Sequence, residues 1–186
     1  MQIEATKKLF TVEEYYRMAD AGILAPEDRV ELIDGEVIQM SPIGSRHFAA
    51  VTRSVDLFTA TFRGKAVVSA QQPLRLNNHN EPEPDIVLLR WRDDYYASGI
   101  PNAQDALLVV EVSDTTLRYD RDVKLPLYAA AGIPEVWIAD LRENALLVYC
   151  HPAANTYATR LILQRDDSVS PSAFPETVFK IANLLG

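Results

Sequence analysis

The chain is poor in cysteine, short of positive charge and free of long apolar runs, and each shortage excludes something. A single cysteine, Cys150, leaves no partner for an internal disulfide and suits a reducing compartment. It ends the strand-like run Leu146-Leu147-Val148-Tyr149-Cys150, so a packed thiol is expected there and not a nucleophile. Against 26 Asp and Glu stand only 18 Lys and Arg, for a formal net charge of −8. That balance opposes tight, sequence-independent binding of nucleic acid, which draws its affinity from phosphate neutralisation. It leaves room for a metal and a local basic cleft to outweigh a distant acidic surface. No apolar run approaches the roughly 20 residues of a membrane span, and the N-terminus lacks a signal-peptide pattern. The expectation is a cytoplasmic protein without membrane contact.

What is present is ordinary for a globular chain: 48% hydrophobic and 24% charged residues. The 186 residues suffice for one domain with a real core, spanning 1–186. No internal repeat, linker or low-complexity tract divides it.

The stretch Leu107-Leu108-Val109-Val110-Glu111-Val112-Ser113 organises the rest. An apolar run bounded by polar segments reads as a central strand buried on both faces. Desolvating one ion costs several kcal/mol even after relaxation, so Glu111 needs a partner, a proton or a metal. The polar turn Ser113-Asp114-Thr115-Thr116 leads into a helical pattern from Tyr119 to Ala131, where Asp120, Lys124 and Tyr128 are four apart and share a face. Pro126 removes one helical hydrogen bond and predicts a kink just after Lys124. A second apolar strand, Asp85 to Leu89, opens on its own carboxylate after Glu83-Pro84.

Two carboxylates at strand tips can share one hard divalent cation, which acidifies water and neutralises charge building on a phosphate. A nearby lysine can orient the water or stabilise that charge. A structural alternative stands beside this: a buried Glu111–Lys124 ion pair, with Asp85 at a strand cap.

Around this centre, Thr11-Val12-Glu13-Glu14 is a capping box that opens a helix to about Ala21. Arg29 to Ile33 and Glu36 to Met40 flank Asp34-Gly35, the signal for a tight hairpin turn. Ser45 is expected to cap a helix to about Phe62, with His47 in its exposed first turn and no role as a ligand. Ala66 to Ala70 reads as a strand, with Pro73 to Leu76 as its continuation or a second one. Asn77 to Pro82 is a surface loop, and Arg92 to Gln104 a polar loop beside the motif strands. Glu135 to Ala139 follows the motif helix as a strand, and that strand–helix–strand unit predicts a parallel pair with a right-handed crossover. Strands around Leu146 to Cys150 and Tyr157 to Leu163 are expected as antiparallel additions, then a short strand or loop and a terminal helix from Pro175 to Leu185. Arg90, Arg92, Arg118, Arg121 and Lys124 gather around the motif strands in sequence, as a basic cleft or as plain solubilising charge.

Pro84-Asp85, Glu111-Val112-Ser113, Asp120-Arg121-Asp122-Val123-Lys124, Tyr128 and Gly132-Ile133-Pro134-Glu135-Val136-Trp137, together with Glu31-Leu32-Ile33-Asp34-Gly35-Glu36 and Met40-Ser41-Pro42, resemble the Uma-two family. This is a bacterial family of endonucleases within the PD-(D/E)XK nuclease superfamily, and the resemblance covers most of the chain. It implies an α/β fold: a restriction-endonuclease-like mixed sheet flanked by helices, with extra antiparallel strands. It implies metal-dependent phosphodiester hydrolysis, with Mg2+ or Mn2+ on Asp85, Glu111 and the Val112 carbonyl. Lys124 resembles a displaced substitute for the motif lysine, whose place Ser113 takes. Glu31 becomes a further acidic candidate, open at this stage to a solvated position or an ion pair with Arg29. Asp120 is expected to position Lys124. The substrate implied is nucleic acid, DNA first, and a homodimer is expected because paired sites cut both strands and the later strands offer edges to cover. Two other readings stay open: a non-catalytic nuclease-derived protein that binds nucleic acid or a partner protein, and a phosphohydrolase with a closed pocket for a small molecule.

Overall fold

A computed structural model describes residues 6–25 and 27–186. The Thr11 hydroxyl accepts from the Glu14 N–H and the Glu14 carboxylate accepts from the Thr11 N–H, so the capping box opens helix α1 (Val12–Asp20). Strands β1 (Val30–Ile33) and β2 (Glu36–Gln39) form the hairpin. Asp34 and Gly35 both take left-handed φ, 49° and 73°, the primed turn that matches strand twist. Helix α2 (Ser45–Phe62) starts one residue earlier than its sequence suggests. Gly44 is the N-cap, Ser45 is already helical, and no side chain caps the end.

The remaining strands build a six-stranded sheet in the order β3 (Ala66–Ala70), β4 (Ile86–Arg90), β5 (Ala106–Ser113), β6 (Glu135–Asp140), β7 (Ala145–Ala153) and β8 (Thr156–Gln164). Every neighbouring pair is antiparallel except β5–β6. That parallel pair is joined by the predicted crossover: α3 (Leu117–Tyr119), a π-helical turn over Asp120–Lys124, and α4 (Leu125–Ala130). The irregularity falls before Pro126, where a kink was expected after Lys124. Proline cannot donate to the preceding turn, and the backbone widens on the N-terminal side.

Strand alternation in β5 divides the core. Leu108, Val110 and Val112 face α2 and the C-terminal helix α5 (Ile181–Leu185), packing with Phe58, Trp137 and Leu184. Val109 faces the other side, among Tyr128, Ile133, Val136 and Ile138. Cys150 is buried in the first of these clusters. Pro73 to Leu76 forms no strand: Leu74 is buried, but Arg75 makes only an isolated bridge with Asn102. A proline at its head lacks a ladder donor. The two-residue strands β9 (Ser168–Val169) and β10 (Phe179–Lys180) pair with each other; β10 is the short strand expected before the terminal helix, while β9 is too short to announce itself in sequence. Among the described residues, no helix is long and apolar enough to cross a membrane.

Candidate functional site

The register of the sheet brings the first two candidates together. Ile86 of β4 is paired with Val110 of β5. One step further along this antiparallel ladder, Asp85 comes level with Glu111. The Asp85 N–H donates to Glu111 Oε2 at 3.3 Å, and the Val112 N–H donates to Asp85 Oδ2 at 2.8 Å. Glu111 lies on the α4 face of β5, where the crossover helix lays Lys124 and Tyr128 over it. Lys124 Nζ is 3.2 Å from Glu111 Oε1, and the Tyr128 hydroxyl donates to the same oxygen at 2.5 Å.

Glu31 arrives from β1, far away in sequence. Its Oε2 lies 3.1 Å from Lys124 Nζ and accepts from the Glu83 N–H at 3.1 Å; its Oε1 accepts from the Tyr119 hydroxyl at 3.0 Å. Lys124 therefore bridges two glutamates, and its sequence neighbour Arg29 is not the partner of Glu31. Arg29 donates to the Ser41 carbonyl at 2.9 Å.

Electrostatics follow from this burial. Desolvation pushes the Glu111 carboxyl up to about 8; the Lys124 charge opposes it, while Asp120 and Asp85 add to it. Burial alone would lower Lys124, but the carboxylates of Glu111, Glu31 and Asp120 outweigh it and hold the ammonium above its usual value. Lys124 is thus a fixed cation beside a carboxyl that burial pushes toward its neutral form and the lysine charge pulls back.

Asp120 does not hold Lys124 by a hydrogen bond. Its Oδ2 accepts from the Ser113 and Thr116 hydroxyls, each at 2.6 Å. Ser113 thus pins the strand-to-helix turn that delivers Lys124. The basic cleft is also narrower than the sequence suggested. Arg92 is paired with Asp94 and Arg121 with Asp122, while Arg90 donates to the Gln104 carbonyl. Of the five cations, Arg118 and Lys124 line the pocket.

Two residues escaped sequence reasoning. His47 Nε2 lies 3.0 Å from Asp85 Oδ2, and its Nδ1 is buried without a hydrogen-bond partner. Burial works against its protonation, but the hydrogen bond and charge of Asp85 overcome this and raise its pKa. The signal was available: His47 continues the stripe Val51, Ser54, Phe58 and Phe62, which α2 buries. Tyr128 was placed on the right face, but its bond to Glu111 needed the depth of the core to be known.

Asp85, Glu111, Val112, Glu31, His47 and Lys124 line one pocket of about 500 Å3. Its mouth is walled by exposed Ile43 and Arg118, so it opens to solvent. Among the described residues no group of three or more His, Cys, Asp and Glu is arranged to hold a metal ion. A smaller donor set nevertheless fits a hard cation, since magnesium is commonly held by one or two carboxylates and several waters. Asp85 Oδ1 and Glu111 Oε2 are the less engaged oxygens of their two carboxylates, each with a single 3.3 Å contact, from Gln71 Nε2 and the Asp85 N–H. Carboxylate oxygen is the donor type that suits Mg2+ or Mn2+.

A family model named Uma2 and described as "Putative restriction endonuclease" matches residues 12–182. The chain is similar to a crystal structure of "a putative nuclease belonging to DUF820 from Anabaena variabilis", with a TM-score of 0.71 and 18% identity over 95% of this chain and 97% of that one. That likeness shows the fold. The type IIG restriction endonuclease BpuSI gives a TM-score of 0.36 and 14% identity over 60% of this chain and 13% of that one. No protein of curated function matches the chain.

Proposed function

The chain belongs to the Uma2 family, and on that premise we propose that it hydrolyses nucleic-acid phosphodiester bonds with a divalent metal ion, DNA being the first substrate to test. The observation that carries this reading is the arrangement of Asp85, Glu111 and Lys124 around one open pocket, with one oxygen of each carboxylate barely engaged. Asp85, Glu111 and the Val112 carbonyl are the residues to hold Mg2+ or Mn2+. A cation so held neutralises charge building on a phosphoryl group and favours deprotonation of water at neutral pH. Lys124 holds its proton and presents a fixed positive charge to the transition state. Glu31 and Tyr119 orient Lys124, and Tyr128 fixes Glu111.

A cleavage assay tests this. Plasmid or single-stranded DNA should be cut with magnesium, and cutting should vanish with chelator and in Glu111→Ala. Cutting that survives Glu111→Ala would defeat the assignment. A non-catalytic binding protein remains the second reading, because Lys124 already satisfies two buried glutamates as a structural ion pair would. The homodimer belongs to the proposal as well: β8 ends the sheet and exposes Leu161 and Ile162. Sedimentation at micromolar concentration should show a dimer, and monomer alone would remove it.

A further inference from the structure

We propose that this pocket admits an unpaired nucleic-acid strand, one nucleotide reaching its floor, and excludes base-paired duplex. The inference rests on the hydrolytic reading for what happens after binding, but its own evidence is the shape and chemistry of the mouth.

The floor is deep. The side chains of Glu31, Glu111 and Lys124 are 2%, 3% and 5% exposed. Residues 40–44, which follow β2, line the pocket together with Thr115, Thr116, Arg118 and Tyr119, and the Tyr119 hydroxyl reaches back to Glu31. A volume of about 500 Å3 falls among small-ligand sites, which run from about 300 to 1,000 Å3. A phosphodiester in a duplex is fixed on a stiff rod and cannot turn down into such a pocket. An unpaired strand bends freely enough to do so.

The lip is apolar where a base would rest. Ile43 lines the pocket together with Met40 and Pro42 and is 41% exposed. Exposed apolar surface suits the face of an unstacked base, which a paired strand keeps hidden. Cations at the mouth are few. Arg29 and Arg118 line it, and among the described residues neither is in contact with a carboxylate. Two arginines can hold the phosphates next to the bound nucleotide. They cannot supply the many contacts that carry duplex affinity on a chain of net charge −8.

The test uses short labelled oligonucleotides of one sequence: unpaired DNA, unpaired RNA and duplex DNA. Binding is read by fluorescence anisotropy with calcium, and cutting with magnesium, on wild type and on I43S. Tighter binding of either unpaired strand by at least tenfold over duplex is expected, and I43S should lose about fivefold or more of that affinity. Equal or tighter binding of duplex, no binding of any of the three, or an unaltered affinity in I43S would overturn the proposal. The DNA and RNA arms identify the sugar. Preferred binding of an unpaired strand without cutting would leave this inference standing and defeat hydrolysis. Faster cutting of duplex would do the reverse.

Discussion

Lys124 lies within 3.2 Å of both Glu31 and Glu111, and that geometry serves two different jobs. As a structural ion it neutralises two buried carboxylates; as a catalytic cation it faces a phosphate. Lys124→Met separates them. Removing the charge strands the glutamates and should cost about 3–5 kcal/mol of stability without metal. If the site holds a divalent ion, millimolar magnesium should restore part of that loss, raising the melting temperature of the variant more than that of wild type. Cleavage should still fall at least roughly a hundredfold, about 3 kcal/mol of lost transition-state stabilisation. A variant and a wild type whose melting both ignore magnesium would leave only the ion pair. Glu111 was legible as a charge inside an apolar run, and Lys124 because one face of the following helix carries it. Glu31 needed the family resemblance, since nothing local ties β1 to a lysine so far along the chain. His47 was legible only in hindsight, as a polar residue on a buried stripe.

The hairpin is the element that carries Glu31 to the site, and its turn sets the register. Gly35 has φ 73°, and a Cβ there would lie 2.8 Å from Leu9 Cβ and 3.0 Å from the Phe10 carbonyl oxygen. Gly35→Ala meets both a disfavoured backbone and a clash. It should destabilise the protein by more than about 1 kcal/mol, measured by urea unfolding, and should impair cleavage because Glu31 orients Lys124. An unchanged midpoint would mean that the N-terminal layer contributes little to the folded state. Elements announced by local chemistry were readable: the Asp34-Gly35 turn, the Thr11 capping box and the apolar run of β5. Those decided by tertiary context were not. Leu74 is buried without joining the sheet, and the widened turn over Asp120–Lys124 depends on how Pro126 shifts the helical ladder.

At the scale of the whole molecule, the sheet holds two cores apart and leaves its strand ends to the site. The parallel β5–β6 pair was legible because a strand–helix–strand unit permits only one common hand. The covering of those strand ends by the N-terminal hairpin was not, because no sequence period encodes a contact between Glu31 and Lys124. That covering makes the pocket deep, and with it comes the central claim that Asp85 and Glu111 share one hard cation. A crystal soaked in manganese tests it most directly, by anomalous scattering at the Mn2+ absorption edge. One ion should be coordinated by both Asp85 and Glu111, with oxygen distances of about 2.0–2.3 Å, and should be lost in Glu111→Gln. An empty pocket at millimolar manganese, with Lys124 still bridging Glu31 and Glu111, would contradict it.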